Sequence, residues 1–480
     1  MLNISEKITS VQNSEKKKRI ILLLEIVLFI PILASLQGGT GVGYDEASSW
    51  NMAVNFDLIG VIQKAAANVH PPFYYFVCKF AIFLFGKKLR TLVWVSIIPC
   101  VLGMLLSSAF ICKRWGFKTA FLFNLAYGFA PFLLEYNIVP RMYSLMDFLV
   151  LGVLLYAYEC VLDSKALNYI MLFVFSILAV FTQYFSFFPI AFFYLWLFIR
   201  LIINKSKKGI ISLVIVGVCD VLVYLPWLLY GMKNVGINND NAEAFSEPFL
   251  GLRDFWGDFF ESGLIYGSCI AFLVFCSALL FLIVFGRRFS KMERSFLWML
   301  LICIFFCCSV SQVLGKLNGH LYVSRYMIYC IFFIWLIMAI VFSRCNILSY
   351  VFFFAWTVII CISSYKKVYS ITYDSTPLMP KTMQFVSDNI EPGELIVYDG
   401  YPDWYIIWKY YFPDNDLVAY KDFDPADMAG KDYWMINMQG TSFSAEEVDE
   451  YDISIERYPN MGFKGIEVFE FWKISEGGAK

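Results

Sequence analysis

Charge is scarce in this chain. Only 16% of its 480 residues are Asp, Glu, Lys or Arg, against about 25% in soluble domains. With 59% hydrophobic and 19% aromatic residues, no single water-soluble core can hide the apolar surface. The apolar residues also run in long unbroken stretches, which is the membrane signature. Histidine is nearly absent. Only His70 and His320 occur, so a metal site would rest mostly on carboxylates. The thirteen cysteines contain no Cys-x-x-Cys pair, and none follows Cys361. They read as small buried hydrophobes, which excludes a zinc ribbon or a disulfide framework. The net charge of -1 leaves nothing to attract nucleic acid. No Gly-Lys-Ser/Thr follows Gly38-Gly39-Thr40-Gly41, so that stretch is no phosphate loop. An internal repeat of the transporter kind is not visible.

What is present is a series of apolar stretches near the ~20 residues needed to cross about 30 Å of hydrocarbon. The sequence predicts about eleven transmembrane helices, at 20–37, 91–112, 119–135, 143–161, 168–185, 187–203, 209–230, 263–285, 295–314, 326–343 and 347–363. The first follows Lys16-Lys17-Lys18-Arg19 and reads as a retained helix rather than a cleavable signal peptide, because it outruns a typical apolar signal core. Basic clusters at Lys16–Arg19, Lys113–Lys118, Arg200–Lys208 and Arg287–Arg294 fall on one side, which marks the cytoplasm. Residues 71–86 are apolar but short. If they crossed, every later basic cluster would face out. Residues 45–90 therefore read as one outer loop with helices lying on the membrane surface.

After Cys361 the texture changes. Residues 364–480 are polar, with about twice as many acidic as basic residues. Short β-like runs at Glu394–Tyr398, Leu417–Tyr420 and Tyr433–Asn437 alternate with helix-like runs at Asp403–Tyr411 and Ala445–Tyr451. A hairpin-like pair closes the chain at Ile453–Tyr458 and Gly465–Lys473. The expected organisation is a cytoplasmic N-terminus at 1–19, a transmembrane catalytic part at 20–363 and an extracytoplasmic α/β domain at 364–480. The fold class is mainly α, a polytopic helix bundle with a small mixed domain.

Four polar motifs interrupt the apolar texture. Gly43-Tyr44-Asp45-Glu46 offers two carboxylates, suited to general base or metal-ligand work. By themselves they read more readily as a helix start, with Asp45 as cap and Glu46 on the positive end of the dipole. His70-Pro71-Pro72-Phe73-Tyr74-Tyr75 fixes the backbone and carries interfacial aromatics. Pro140-Arg141-Met142-Tyr143-Ser144-Leu145 and His320-Leu321-Tyr322-Val323-Ser324-Arg325-Tyr326 each place an arginine and a tyrosine at a helix end, which snorkelling alone explains. The basic clusters, which lie apart from these motifs, put all four on the outer face. Two acids and two arginines near one membrane surface suit a substrate with a phosphate head and a lipid tail. Three acids fall inside predicted spans. Glu25 and Asp220 read as structural partners, and Asp147 is placed to orient Tyr143 or to pair with Arg141.

Together, Asp45-Glu46, His70-Pro71-Pro72-Phe73-Tyr74-Tyr75, Arg141-Met142-Tyr143 and Arg325-Tyr326 resemble the type C (GT-C) membrane glycosyltransferases. The similarity is to the bacterial protein mannosyltransferase-like branch that includes the aminoarabinose transferases, over roughly residues 15–345. The chain departs from many relatives at two points. Val139-Pro140-Arg141 replaces Glu-Ala-Arg. Thr182-Gln183-Tyr184 stands where a histidine is frequent, and Gln183 cannot take a proton.

The resemblance implies an inverting transfer from a polyprenyl-phosphate sugar to an acceptor hydroxyl of a glycan, lipid or protein in the cell envelope. It implies Asp45 as base, Arg141 and Arg325 on the donor phosphate, and Glu46, His70, Tyr143 and Tyr326 in positioning roles. Some type C enzymes use a divalent cation, and the sequence leaves a cofactor open. A lipid-linked sugar flippase and a non-catalytic envelope-assembly subunit are the competing readings. The loop Gly231–Glu261 reads equally as a lid or a plain connector, and the outer domain as an aid to acceptor recognition.

Overall fold

The computed structural model describes residues 2–36, 42–67, 70–234, 256–257, 260–261, 264, 266–318, 324–373, 378–398, 404–423, 432–437, 453–463 and 466–476. The expected features at Gly38–Gly41, at His320–Val323, at Ala445–Tyr451 and over most of Gly231–Glu261 lie outside the described residues. The chain divides into two compact units. One comprises Met1–Gln37 with Asp57–Val368, the other Gly38–Phe56 with Tyr369–Lys480.

The first unit is helical. Its helices are α1 (Leu2–Ser35), α3 (Leu58–Ala66), α4 (Phe73–Phe85), α5 (Leu89–Trp115), α6 (Phe117–Phe129), α7 (Leu133–Ile138), α8 (Tyr143–Leu162), α9 (Ala166–Thr182), α10 (Phe187–Ile203), α11 (Lys207–Asn234), α12 (Gly267–Val284), α13 (Lys291–Asn318), α14 (Tyr329–Ser343) and α15 (Ile347–Tyr373), whose last turn reaches into the second unit. Among the described residues, seven helical segments are long and apolar enough to cross a membrane, and α4, α9 and α14 are shorter apolar helices. The chain is a multi-pass membrane protein. Each of the eleven expected spans falls on a helix, with one correction. The stretch 119–135 is not one helix. Pro131 cannot continue α6, Phe132 adopts a left-handed φ of 65°, and α7 starts afresh.

The apolar surface sorts these helices. In α14 every residue from Tyr329 to Val341 is buried, so it is the central helix, apolar all round. It packs on α6, α8, α12 and α13. By contrast α11 exposes Val218, Val221 and Leu222, as a lipid-facing helix does. Helix α4 is 13 residues long, about 20 Å, and packs on α5 and α9. A bidentate ion pair between Arg114 and Glu159 ties α5 to α8.

The intramembrane acids sort as well. Glu25 accepts a hydrogen bond from Asn124 at 3.2 Å. Asp220 accepts one from Tyr194 at 2.7 Å, beside a cavity of about 250 Å³ between α9, α10 and α11. Asp147 neither orients Tyr143 nor pairs with Arg141, contrary to the sequence expectation. It is buried near Tyr127 and Cys100, and its Oδ1 has no hydrogen-bond partner among the described residues. Asp147 lies near Cys100 of α5 and Tyr127 of α6, while the Arg141 side chain, before the first turn of α8, meets His70.

The second unit holds α2 (Tyr44–Asn55), α16 (Met379–Asn389), α17 (Tyr405–Tyr411) and strands β1 (Leu395–Tyr398), β2 (Asp416–Ala419), β3 (Tyr433–Asn437), β4 (Ile453–Phe463) and β5 (Ile466–Glu476). The sheet order is β2-β1-β3-β5-β4. The first three strands are parallel and the last two pairings antiparallel. Parallel β1 and β2 need a crossover, and α17 supplies it. Both sheet faces are covered. Val397, Met435 and Trp472 form the core on one side. Phe385 of α16 stacks on Phe471 at 5.3 Å on the other. By compactness, the acid-bearing helix α2 groups with the C-terminal residues.

Candidate functional site

In the membrane unit, three chain breaks bring polar side chains together. The first is at His70. Two prolines follow it, restrict its backbone to extended conformations and start α4 with Pro72 as cap. The second lies between α7 and α8, where Pro140 prevents a continuous helix. Ser96 of α5 stitches this bend. Its hydroxyl donates to the Val139 carbonyl at 2.6 Å, and its own carbonyl accepts from the Ser144 hydroxyl at 2.7 Å. Arg141 is thereby held by its backbone before its side chain meets anything. The third break ends α9 at Thr182. Gln183 turns extended, with φ −153° and ψ 130°, and its carbonyl accepts from the Ser186 hydroxyl at 2.7 Å.

The three breaks converge. An Arg141 Nη lies 3.0 Å from His70 Nε2. The side-chain amide of Gln183 lies 3.5 Å from His70 Nδ1. All three residues are almost fully buried, at 4%, 3% and 1% exposure. Aromatic rings wall the cluster. Tyr326 meets the His70 ring edge-on at 5.8 Å and stacks with Tyr143 at 6.5 Å. Phe185 and Tyr136 back these two rings. The Tyr329 hydroxyl donates to the Phe185 carbonyl at 3.1 Å and ties the start of α14 to the α9–α10 break. Arg325 sits in the same 3₁₀ turn as Tyr326, Ser324–Met327. A buried guanidinium with fixed orientation is a site for an oxyanion such as phosphate.

In the second unit, Asp45 and Glu46 occupy the first turn of α2. The cap is Gly43, not Asp45, which corrects the expected helix start. Asp45 is the second helical residue, because the turn already closes from the Gly43 carbonyl to the Ala47 N–H at 3.0 Å. The two acids have different surroundings. Glu46 is buried and curls back over its own cap, so a Cβ on Gly43 would come within 2.8 Å of Glu46 Oε2. This third helical position is the one from which a Glu side chain can turn back toward the cap residue. Asp45 is half-exposed. Helix α2 is anchored on α17, where Trp50 meets Tyr410 edge-on at 5.2 Å. The Tyr411 hydroxyl accepts from the Val42 N–H at 2.9 Å. Burial pushes the Tyr411 phenol well above its ordinary range, and the neighbouring Tyr410 and Glu46 add to the rise. It therefore stays a neutral hydroxyl.

No group of three or more His, Cys, Asp or Glu side chains is placed to hold a metal ion among the described residues. Asp45 and Glu46 gain no third ligand of these types there, and Glu46 is turned onto Gly43.

Of the residues singled out from sequence, the structure gathers His70, Arg141, Tyr143 and Tyr326 into one cluster and sets Arg325 in its wall turn. Asp45 and Glu46 share one helix turn in the other unit. Sequence reasoning missed Gln183, Phe185 and Ser96 as members of the cluster. Only Gln183 left a signal, by standing where relatives carry a histidine.

No protein-family model and no curated protein sequence matches the chain. Solved structures do. ArnT from Cupriavidus metallidurans in the apo state superposes with a TM-score of 0.60 at 11% identity, over 94% of this chain and 97% of that one. The same protein bound to undecaprenyl phosphate gives 0.60 at 10% identity with the same coverage. The Archaeoglobus fulgidus oligosaccharyltransferase, in complex with zinc and sulfate, gives 0.51 at 12% identity over 82% of this chain and 62% of that one. The chain has the GT-C membrane glycosyltransferase fold.

Proposed function

We propose that this GT-C chain is an inverting glycosyltransferase that moves a sugar from a polyprenyl-phosphate carrier to an acceptor hydroxyl at the outer face of the membrane. The N-terminus is then cytoplasmic and the C-terminal unit extracytoplasmic, as the basic clusters require. The observation that carries the reading is the buried Arg141 guanidinium, aimed by His70 and walled by Tyr143 and Tyr326. A lipid-phosphate donor is supported by the similar ArnT structure solved with undecaprenyl phosphate bound.

The chemistry follows from what the reaction lacks. An acceptor hydroxyl is a poor nucleophile, so a carboxylate must take its proton during attack. Asp45 has this role. It is half-exposed, while Glu46 is buried against Gly43 and positions the turn. The acceptor oxygen bonds to the anomeric carbon from the face opposite the phosphate. The bond from that carbon to the phosphate oxygen breaks, and the electron pair leaves on the phosphate. A phosphate anion needs no general acid to leave. It needs cations that stabilise the growing charge, and Arg141 and Arg325 supply them. His70, Tyr143 and Tyr326 hold the site in shape.

The test is reconstitution of the full chain in liposomes with polyprenyl-phosphate sugars and envelope-glycan acceptors. Transfer of sugar to an acceptor supports the proposal. Movement of the lipid-linked sugar across the bilayer without transfer would identify a flippase instead. Comparison of envelope glycans with and without the chain then identifies the acceptor.

A further inference from the structure

The ends of α12, α13 and α14 meet at one membrane boundary, at the far end of α14 from Tyr326. This end carries five cations, Arg287, Arg288, Lys291, Arg294 and Arg344. Between Gly286 and Tyr350 the chain has one acid, Glu293. That acid is already engaged through both oxygens. Its Oε2 accepts the Ser290 N–H at 2.8 Å, while the Ser290 hydroxyl accepts the Glu293 N–H at 3.1 Å, a reciprocal cap on α13. Its Oε1 accepts from an Arg344 Nη at 2.8 Å. Arg288 and Arg294 donate no hydrogen bond among the described residues, yet both are placed. The Arg288 guanidinium lies over the Phe285 ring at 5.1 Å and the Phe281 ring at 5.7 Å, beside Cys345 just past α14. The Arg294 stem runs along Gly286, where a Cβ would meet its Cδ at 3.6 Å. The two arginines thus flank one 3₁₀ turn, Gly286–Arg288. Next to them the surface is apolar. Ile283, Val284 and Phe285 are exposed, as are Ile347 and Leu348 at the start of α15.

We infer that this end of the bundle is a binding site for an acidic phospholipid, with its phosphate on Arg288 and Arg294 and its acyl chains along Ile283 and Phe285. A guanidinium stacked on a ring keeps its N–H donors at its edge, in the plane that matches a phosphate. Stacking also fixes its direction before the ligand arrives, so less side-chain freedom is lost on binding. The excess of cations selects a headgroup with net negative charge. A zwitterionic headgroup brings its own cation and gains less. The apolar band selects an amphiphile over a soluble phosphate, because Ile283, Val284 and Phe285 offer contact only to hydrocarbon. Basic pockets between helix ends at a membrane surface suit anionic lipid headgroups for these reasons. None of these residues belongs to the Arg141 cluster, so the inference stands apart from the transferase reading.

The test titrates the full chain in detergent with dioleoyl phosphatidylglycerol and with dioleoyl phosphatidylcholine, and reads bound lipid by native mass spectrometry. The wild type is expected to bind phosphatidylglycerol about tenfold more tightly than phosphatidylcholine. Arg288→Gln with Arg294→Gln is expected to weaken phosphatidylglycerol about 25-fold, or about fivefold for each arginine. Lys207→Gln with Lys208→Gln removes the same charge from another basic cluster and is expected to bind as the wild type does. Glycerol 3-phosphate, a phosphate head without chains, is expected to leave the lipid in place. Equal affinity of the wild type for the two lipids overturns the proposal without any variant being needed. So does an equal loss in the two double variants, which would make net charge the cause and not a site. Displacement of the lipid by glycerol 3-phosphate overturns it as well, since the site would then take soluble phosphates.

Discussion

His70 Nε2 and an Arg141 Nη stand 3.0 Å apart with both side chains buried, so a histidine next to a proline pair aims an arginine 71 residues further along the chain. The contact joins the entrance of α4 to the entrance of α8. It converts a flexible cation into one with a set direction, which is what charge stabilisation at a leaving phosphate requires.

Arg141→Lys keeps the charge but loses the planar fork. Sugar transfer is expected to fall about 100-fold, the scale of losing one oriented donor. Circular dichroism should show the helix content unchanged. A variant with wild-type turnover removes Arg141 from the phosphate site.

Asp45→Asn keeps shape and removes the base. Transfer is expected to drop by about 1,000-fold, with undecaprenyl phosphate still bound at wild-type affinity by calorimetry. Glu46→Gln is expected to retain measurable transfer. Reversed sensitivities would assign the base to Glu46.

Gly43 has φ −81° and ψ 178°, a conformation open to any residue, so an alanine there meets no backbone strain. Its Cβ would instead come within 2.8 Å of Glu46 Oε2. Gly43→Ala is expected to displace that carboxylate and destabilise the C-terminal unit by about 1–2 kcal/mol. Thermal unfolding followed through the tryptophans reads this. Wild-type stability and activity together would show that Glu46 needs no fixed place.

The anchoring of α2 on α17 separates into two parts. Tyr411→Phe removes the acceptor of the Val42 N–H and is expected to cost about 1 kcal/mol. Trp50→Ala removes the ring packed on Tyr410 and is expected to cost about 3 kcal/mol. Both should lower transfer while leaving undecaprenyl phosphate binding intact. Equal thermal stability of all three proteins would show that α2 is not held this way.

Within the membrane unit, Glu159 is buried and paired bidentately with Arg114. Arg114→Met strands that carboxylate and is expected to cost about 3 kcal/mol. Adding Glu159→Leu should recover most of the loss. If the double variant is no more stable than the single one in detergent denaturation, the cost lies in packing and not in the stranded charge.

The sequence by itself determined the architecture of the membrane part. All eleven apolar stretches are helical, one of them in two pieces, because hydrocarbon tolerates no unpaired backbone and a run of apolar residues leaves a chain few alternatives. It also determined most of the sheet. Strand β3 runs from Tyr433 to Asn437 as expected, and the terminal hairpin pairs Ile455 with Ile474. These signals are local, since alternation and hydropathy are readable within a few residues. Local reading failed where a short-range preference competed with packing. Pro131 and Phe132 split a stretch apolar enough for one helix, and Asp45, a good capping residue, was displaced by Gly43.

Only the tertiary structure decided the partners. The motif residues were legible as types, but nothing near His70 in the chain announces Arg141 or Gln183, and nothing near Asp147 says that it turns toward Tyr127 instead of Arg141. Nor does the loop after α1 reveal that α2 packs on α17. Such choices are made by side chains brought together from distant segments, where burial leaves each polar atom to find its partner inside the protein. The sequence lists the donors and acceptors, and the packing of the breaks in α9, α7–α8 and the Pro71-Pro72 turn sets which of them meet.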